Sequence, residues 1–218
     1  MCIFIPLLVV SVTQPKLSVE LEMLTPPKQL AEPIRKLLDE KALVIRDERN
    51  VIMRVWFRSE IPVKANAEQI KNGLTYREVP QGTLVGAIEF PAPFTDYRRQ
   101  QLPIGVYTLR FALQPDIGDH TGTAPHLEFC LLVASVDDQA AEEIEVKKLI
   151  ELSSKVNEGR HPAVLLLWPN FDKKADQKVL DKGEGVYVAT THRPVISENG
   201  KSTLGFGITI AGTWKPGW

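Results

Sequence analysis

The sequence predicts a mainly β fold, an antiparallel β-sandwich that carries a few helices at its periphery. Three observations favour this class. Many short segments alternate apolar and polar residues with the period of two that a half-buried strand requires. Glycine, proline and asparagine turn signals separate these segments. Helical patterns are too few to alternate with the strands, as a parallel α/β sheet would demand.

The densest strand pattern lies between residues 102 and 135. Segments 106–113 and 127–134 each alternate, and the polar loop of residues 115–126 between them is too long for a tight hairpin turn. In both segments the odd-numbered residues form the more apolar row. We therefore predict two antiparallel neighbours whose directly opposed residues have the same parity, because a slip by one residue would turn a whole row to the other face.

This predicted pairing has consequences for four side chains. Phe111 and Phe129 occupy the apolar row of their strands, so both are expected in the core. Arg110 and Glu128 then share the other, more polar face, where we expect them close enough for an ion pair.

The remaining elements follow from the same patterns. Further strands are predicted at 17–24, 42–48, 51–59, 74–79, 83–90, 163–168, 186–191 and 204–210. Helices are predicted near 28–40, 65–72 and 138–157. Pro103 and Gly105 bend the chain before Tyr107, whose hydroxyl is placed to anchor the bend, as at the tyrosine corner of immunoglobulin-like domains. The predicted sandwich is accordingly immunoglobulin-like or jelly-roll-like.

Composition limits the classes of function. The chain has 218 residues and a net charge of −1 from 26 basic and 27 acidic residues, a balance that argues against nucleic-acid binding. It has no apolar segment long enough for a transmembrane helix. Of the two cysteines, Cys130 alternates with apolar strand residues and is interpreted as a small buried hydrophobe, and a disulfide framework is excluded by the count.

The first residues form an uncharged apolar run followed by small residues. Residues 1–14 are interpreted as a signal peptide or its remnant, and the alternative is a buried first strand. Residues 15–218 are then expected to form a single sandwich domain.

The central stretch also carries a family resemblance. The residues LPIGVYTLRF at 102–111, DIGDHTGTAP at 116–125 and EFCLL at 128–132, preceded by IPVKA at 61–65, resemble an uncharacterised family of exported bacterial β-sandwich proteins with the pattern IPxGxYTLRF…DxGDHxGTAP…EFxLL. The resemblance implies a sandwich fold and an extracytoplasmic location, periplasmic or secreted. It implies no activity and no catalytic residue.

The loop within that pattern holds the one polar constellation of the sequence. Asp116, Asp119, His120 and His126 are candidate ligand-binding residues. The aspartates with their intervening glycine suit Ca²⁺, and Asp119, His120 and His126 suit Zn²⁺ or another transition metal. The alternative is that aspartate and glycine only turn the loop and the histidines are solvated.

Motifs of catalysis are otherwise missing. The chain has no phosphate-binding loop, no dinucleotide fingerprint, no nucleophile elbow and no H-E-x-x-H pair. We therefore predict an exported, non-enzymatic binding or structural module with an unknown ligand or protein partner. The alternative is a metal-binding protein or metal-dependent enzyme that uses residues 116–128.

Overall fold

The computed structural model describes residues 16–48, 50–114, 124–158, 161–174 and 177–213. The strands are β1 (Leu17–Met23), β2 (Leu38–Asp47), β3 (Asn50–Arg58), β4 (Ile61–Pro62), β5 (Leu84–Phe90), β6 (Phe94–Thr95), β7 (Gln101–Leu102), β8 (Gly105–Leu113), β9 (Glu128–Ala134), β10 (Val164–Pro169), β11 (Lys178–Asp181), β12 (Tyr187–Ser197) and β13 (Gly200–Ala211). The α-helices are α1 (Glu32–Arg35), α2 (Ala67–Asn72) and α3 (Val146–Ser154), and short 3₁₀ turns cover Tyr76–Glu78 and Lys155–Asn157.

The mainly β class is confirmed. Eleven strands of the described residues form one curled sheet in the order β1-β2-β3-β5-β8-β9-β10-β13-β12-β11, with β4 beside β12. All its pairings are antiparallel except the short β4–β12 pair. The strand order shows one continuous path, and the division into two separate sheets that defines a sandwich is not evident in it.

Strand β10 joins two halves of this sheet. Its first residues pair with β9, as Val164 does with Leu131, and its last residues pair with β13, as Trp168 does with Gly207. A strand that changes partners lets a sheet turn a corner. Strands β1 and β11, which stand at the two ends of this strand order, consequently come into contact across the curl.

One large core fills the inside of the curl and takes side chains from both halves. Tyr76 lies between them, with its ring centroid 6.2 Å from Phe111 of β8 and 5.2 Å from Phe206 of β13. Its buried hydroxyl donates to the Trp168 carbonyl at 2.9 Å and accepts from the Gly207 amide at 3.1 Å. Residues 74–79 are thus not the predicted strand, and the 3₁₀ turn Tyr76–Glu78 within them places Tyr76 in the core.

Helix α1 and the residues that flank it cover part of the outer face of the first half. Leu30, Ile34 and Leu38 pack on the outside of β2, β3 and β5. Their helical spacing predicted a helix over 28–40, but only Glu32–Arg35 is helical, because Leu38 already pairs with Arg58 at the start of β2. The helix predicted over 65–72 is present as α2, closed by Gly73.

The central hairpin is present, but its predicted parity is wrong. Strands β8 and β9 pair in the register Tyr107↔Ala134 to Leu113↔Glu128, so opposed residues have opposite parity. Cys130 and Leu132 face the inner core beside Phe111, and Leu131 and Val133 face outward under α3. Strand β9 is apolar on both faces because both faces are covered, and alternation therefore does not identify its inner face.

Three related predictions are decided by this register. Phe111 is fully buried in the inner core, as predicted, but Phe129 is only partly buried and lies on the outer face. The expected ion pair is also wrong, because Arg110 and Glu128 lie on opposite faces of the hairpin. Cys130 is buried, as predicted, and burial raises the pKa of its thiol.

Arg110 instead pairs with Asp138 in a fully buried ion pair. Its Nε and Nη2 donate to the two Asp138 carboxylate oxygens at 2.9 and 2.8 Å. Its remaining N–H groups donate to the carbonyls of Gly82, Ala140 and Glu142. All five donors of the guanidinium are therefore satisfied.

This ion pair holds residues 135–145, here called the strap, against β8. Asp138 was predicted to begin a helix over 138–157, but its carboxylate is bound by Arg110 and by the Thr108 hydroxyl. The helix begins only at Val146, after Glu145 has capped it by accepting from the Lys147 and Lys148 amides.

The predicted tyrosine corner is confirmed. The Tyr107 hydroxyl donates to the Pro103 carbonyl at 2.8 Å. A Cβ on Gly105 would lie 3.3 Å from the same hydroxyl, so glycine gives the corner its close packing.

Candidate functional site

Of the four ligand-binding residues predicted from the sequence, the structure describes one. Asp116, Asp119 and His120 lie outside the described residues. His126 is described and half-buried, and its ring meets the Trp168 ring edge-on with centroids 4.6 Å apart. His126 also lines a pocket, which makes it the one predicted residue that the structure places at a candidate site.

This pocket has a volume of about 410 Å³ and a mainly apolar lining. Its floor is the outer face of β8, β9 and β10, and α3 and residues 97–98 stand at its sides. We call it the outer pocket. The residues that line it are Tyr97, Arg98, Ala112, Leu113, Gln114, Ala124, His126, Phe129, Leu131, Val146, Ile150, His161, Pro162, Val164 and Leu166.

The floor follows from the registers of three neighbouring strands. Phe129 of β9 stands between Ala112 of β8 and Leu166 of β10, each directly opposite it. In the next row Leu131 stands opposite Val164 of β10. Because Ala112 is small and Phe129 is large, the apolar floor has a depression above Ala112.

One wall is a turn of residues 96–100, here called the Asp96 turn. The Asp96 carboxylate accepts from the Arg98 amide at 2.9 Å and from the Gln100 amide at 2.8 Å. It also accepts from the Gln100 side chain at 2.9 Å. Burial raises the pKa of Asp96, and these hydrogen bonds act in the opposite direction by favouring its charged form.

The Asp96 turn is fastened to the segment after α3. Gln100 Nε2 donates to the Pro162 carbonyl at 3.1 Å, and Asn157 Nδ2 donates to Gln100 Oε1 at 3.1 Å. The same Asn157 amide donates to the His161 carbonyl at 3.2 Å. Two stretches of chain that line the outer pocket are thereby fixed relative to each other.

The charged side chains among the described lining residues of the outer pocket have one sign. Among its described lining residues there is no aspartate or glutamate, whereas Arg98, His126 and His161 are basic. Arg98 is exposed, and within the described part of the chain its guanidinium has no carboxylate partner. In the described part of the chain, the lining thus combines an apolar floor with one exposed guanidinium and two imidazoles.

His126 has a distinct electrostatic environment. Burial lowers its pKa, and Lys182 lowers it further, while Glu128 acts in the opposite direction. Lys182 Nζ lies 5.3 Å from the centroid of the Trp168 ring. Trp168 is itself fixed by an Nε1 hydrogen bond to the Thr209 hydroxyl at 2.9 Å. The imidazole is therefore held next to a rigid aromatic ring.

Sequence reasoning missed the Asp96 turn. The patterns of the sequence predict no pocket wall at Tyr97, Arg98 or Arg99. The one available signal was Asp96 four residues before Gln100, which is compatible with a side-chain-stabilised turn but common in loops. His161 is likewise not among the ligand-binding residues predicted from the sequence.

Within the described ranges, no three or more His, Cys, Asp or Glu side chains come together in a way that would hold a metal ion. His126 and His161 nevertheless line the same pocket. None of the helices in the described part of the chain has the length and apolar character needed to cross a bilayer.

Comparison with known proteins identifies no relative: no family model, curated protein or solved structure matches the chain.

Proposed function

We propose that this protein is a non-enzymatic binding module that takes a small, mainly apolar organic molecule into the outer pocket. The observation that carries the proposal is the pocket itself, about 410 Å³ with a mainly apolar lining and a few polar groups. Ligand sites of small molecules have this character, with volumes of roughly 300–1,000 Å³. The missing catalytic motifs of the sequence support binding rather than turnover.

We also propose an extracytoplasmic location. The apolar start of the chain and the resemblance of residues 102–132 to exported bacterial sandwich proteins support it. We further propose that the fold is of the immunoglobulin-like or jelly-roll-like type. Mass spectrometry of the protein from its native host tests the location: removal of about the first 14 residues is expected, and an intact mature N-terminus would contradict it.

The binding function is tested with N-phenyl-1-naphthylamine, a neutral apolar probe that fluoresces on leaving water. We expect saturable binding at one site. Ile150 lines the outer pocket on α3 and is 38% exposed, so Ile150→Asp should leave the fold intact. The substitution should lower the affinity for the probe by about tenfold or more, because placing a carboxylate against the apolar probe costs over about 1.4 kcal/mol of binding free energy.

The matched control is Ile104→Asp, since Ile104 is 63% exposed and does not line the pocket. This variant should bind the probe as the unmodified protein does. Failure of the unmodified protein to bind, or equal weakening by both substitutions, would overturn the proposal. A thermal melt of each variant confirms that it is folded.

A metal-binding function is the second candidate, supported by the two imidazoles that line one pocket. Imidazole is a usual ligand of Zn²⁺. If the candidate is correct, calorimetric titration of metal-free protein with zinc chloride gives a stoichiometric site, lost when His126 and His161 are both replaced by alanine. His192→Ala, outside the pocket, should retain it. The absence of a stoichiometric Zn²⁺ site would exclude zinc, and the same titration with calcium chloride tests the Ca²⁺ alternative.

A further inference from the structure

We infer that the molecule taken by the outer pocket is an organic anion, whose apolar body lies on the β8–β10 floor and whose anionic group pairs with Arg98. This inference rests on the proposed function and adds the chemical class of the ligand. Carboxylates and sulfonates are the groups that a guanidinium binds with paired N–H donors.

The first argument is the charge of the lining. A ligand that buries an apolar body here encounters Arg98, His126 and His161, and no carboxylate among the described lining residues. Glu128 lies near His126 and Glu184 near Tyr97, but neither lines the pocket. A cationic ligand would therefore leave Arg98 beside a like charge, whereas an anion neutralises it.

The second argument is that Arg98 is presented by a preformed turn. Tyr97 is 6% exposed and packs against Leu166 and Val186, and it anchors the backbone directly before Arg98. Asp96 is fully buried, and it accepts hydrogen bonds from the Arg98 and Gln100 amides and from the Gln100 side chain. The nearest carboxylate in sequence is thus occupied with shaping the turn, and no described residue pairs with the Arg98 guanidinium.

The third argument is the position of the two imidazoles. His126 and His161 both line the pocket with Arg98, and either ring can donate an N–H to an anionic oxygen, whether the ring is neutral or charged. The His161 backbone carbonyl is held by Asn157, which is also bonded to Gln100 of the Asp96 turn. The hydrogen-bond network that fixes the Asp96 turn therefore also fixes the backbone at His161, which can donate a second hydrogen bond to the anion.

The experiment compares two probes with one skeleton. 8-Anilino-1-naphthalenesulfonate is N-phenyl-1-naphthylamine with an added sulfonate, so the ratio of their affinities isolates the contribution of the negative charge. We expect the sulfonate to bind the unmodified protein more tightly than the neutral probe, and this advantage should shrink in high salt.

Arg98→Gln should weaken sulfonate binding by about tenfold, as expected for one charge-assisted contact of roughly 1.5 kcal/mol, and should leave the neutral probe unchanged. Arg98→Lys should restore part of the loss. The matched control is the neighbouring Arg99→Gln, because Arg99 is also exposed but does not line the pocket. It should change neither affinity.

The outcomes separate the two proposals. If the neutral probe binds, is weakened by Ile150→Asp, and the sulfonate has no advantage or is insensitive to Arg98→Gln, the pocket binds apolar molecules and the inference about anions is wrong. If neither probe binds at the pocket, the proposed function fails and the inference fails with it. Equal loss of sulfonate in the Arg98 and Arg99 variants would also overturn the inference, because it would indicate general surface charge.

Discussion

At the scale of single residues, the most informative side chain is Arg110. A guanidinium buried in a protein is costly unless all its donors are bonded and a carboxylate balances its charge. Here Asp138 supplies the charge, and the carbonyls of Gly82, Ala140 and Glu142 accept the other donors. This arrangement binds three parts of the chain that are distant in sequence.

The ion pair gives a prediction with a control one residue away. Asp138→Ala leaves a buried guanidinium without its counter-charge, and we expect a loss of about 3–5 kcal/mol in the free energy of unfolding. Asp137→Ala removes only a partly exposed ion pair with Lys155 and should change the free energy of unfolding by less than about 1 kcal/mol. Urea unfolding of both variants measures the difference, and similar losses would contradict the structural role of Asp138.

The two phenylalanines of the central hairpin give a second prediction. Phe111 is fully buried, so Phe111→Ala should cost about 3–5 kcal/mol of unfolding free energy. Phe129 is only partly buried beside the outer pocket, and Phe129→Ala should cost roughly 1–2 kcal/mol. Denaturant melts decide the order, and a greater loss for Phe129 would show that it belongs to the inner core.

His126 gives a prediction about pH. Its pKa in the folded protein lies below its ordinary value of 6.5, chiefly because of burial, with Lys182 adding to the shift and Glu128 opposing it. The unfolded chain therefore binds more protons below pH 6.5 than the folded chain does, and the stability present above that pH is lost as pH falls. We expect His126→Gln to reduce this fall between about pH 7 and 5 in thermal melts. An unchanged pH dependence would contradict the assignment.

At the scale of elements, the strap shows how tertiary contacts override a helical pattern. Residues 138–145 carry helix-compatible residues, yet they stay irregular because Arg110 binds the Asp138 carboxylate and the carbonyls of Ala140 and Glu142. The strap also packs closely on the turn before β5, where the Ile144 amide donates to the Gly82 carbonyl at 3.3 Å. Strand β5, the strap and β8 are thereby joined as one unit.

Gly82 provides the test of this contact. It has φ +86°, and a Cβ there would lie 2.0 Å from the Ile144 carbonyl oxygen. Gly183 has the same φ but nothing within 4 Å of its Cβ position, so it isolates the cost of the backbone conformation alone. Gly82→Ala should lower the unfolding free energy by more than Gly183→Ala, which itself costs about 1 kcal/mol. Equal losses would show that the strap moves away from the added Cβ without lowering the free energy of unfolding.

At the scale of the whole molecule, the curled sheet encloses a core that neither half can form alone. Phe57 of β3 and Phe206 of β13 meet with ring centroids 5.4 Å apart. At the surface of this core Arg193 of β12 pairs with Asp39 of β2 at 2.7 Å. The halves are therefore expected to unfold together.

Tyr76 tests this cooperativity because it touches both halves. Tyr76→Phe removes the acceptor of the buried Gly207 amide, and we expect a loss of about 1–3 kcal/mol of unfolding free energy. Far-UV circular dichroism and tryptophan fluorescence should still give one coincident transition, shifted to lower denaturant. Two separated transitions would show that the halves fold independently.

The sequence by itself determined the features that local periodicity and turn chemistry encode. These include the mainly β class, the strands of the central hairpin, the helix closed by Gly73, the tyrosine corner and the burial of Cys130. Each depends on residues that are close in sequence. Of the candidate site, His126 alone was both predicted from sequence and placed at the pocket, because a histidine in a polar loop is visible as a motif.

Only the tertiary structure decided which face of β9 is inner, which acid pairs with Arg110 and where Arg98 lies. A strand covered on both faces has no polar row to mark its outside, so the run from Phe129 to Val133 fits either orientation. The outer pocket gathers residues from Tyr97 to Leu166, and its wall depends on Gln100 meeting Asn157 and Pro162. Contacts between such distant residues exist only once the strands have taken their register, and no local pattern in the sequence specifies them.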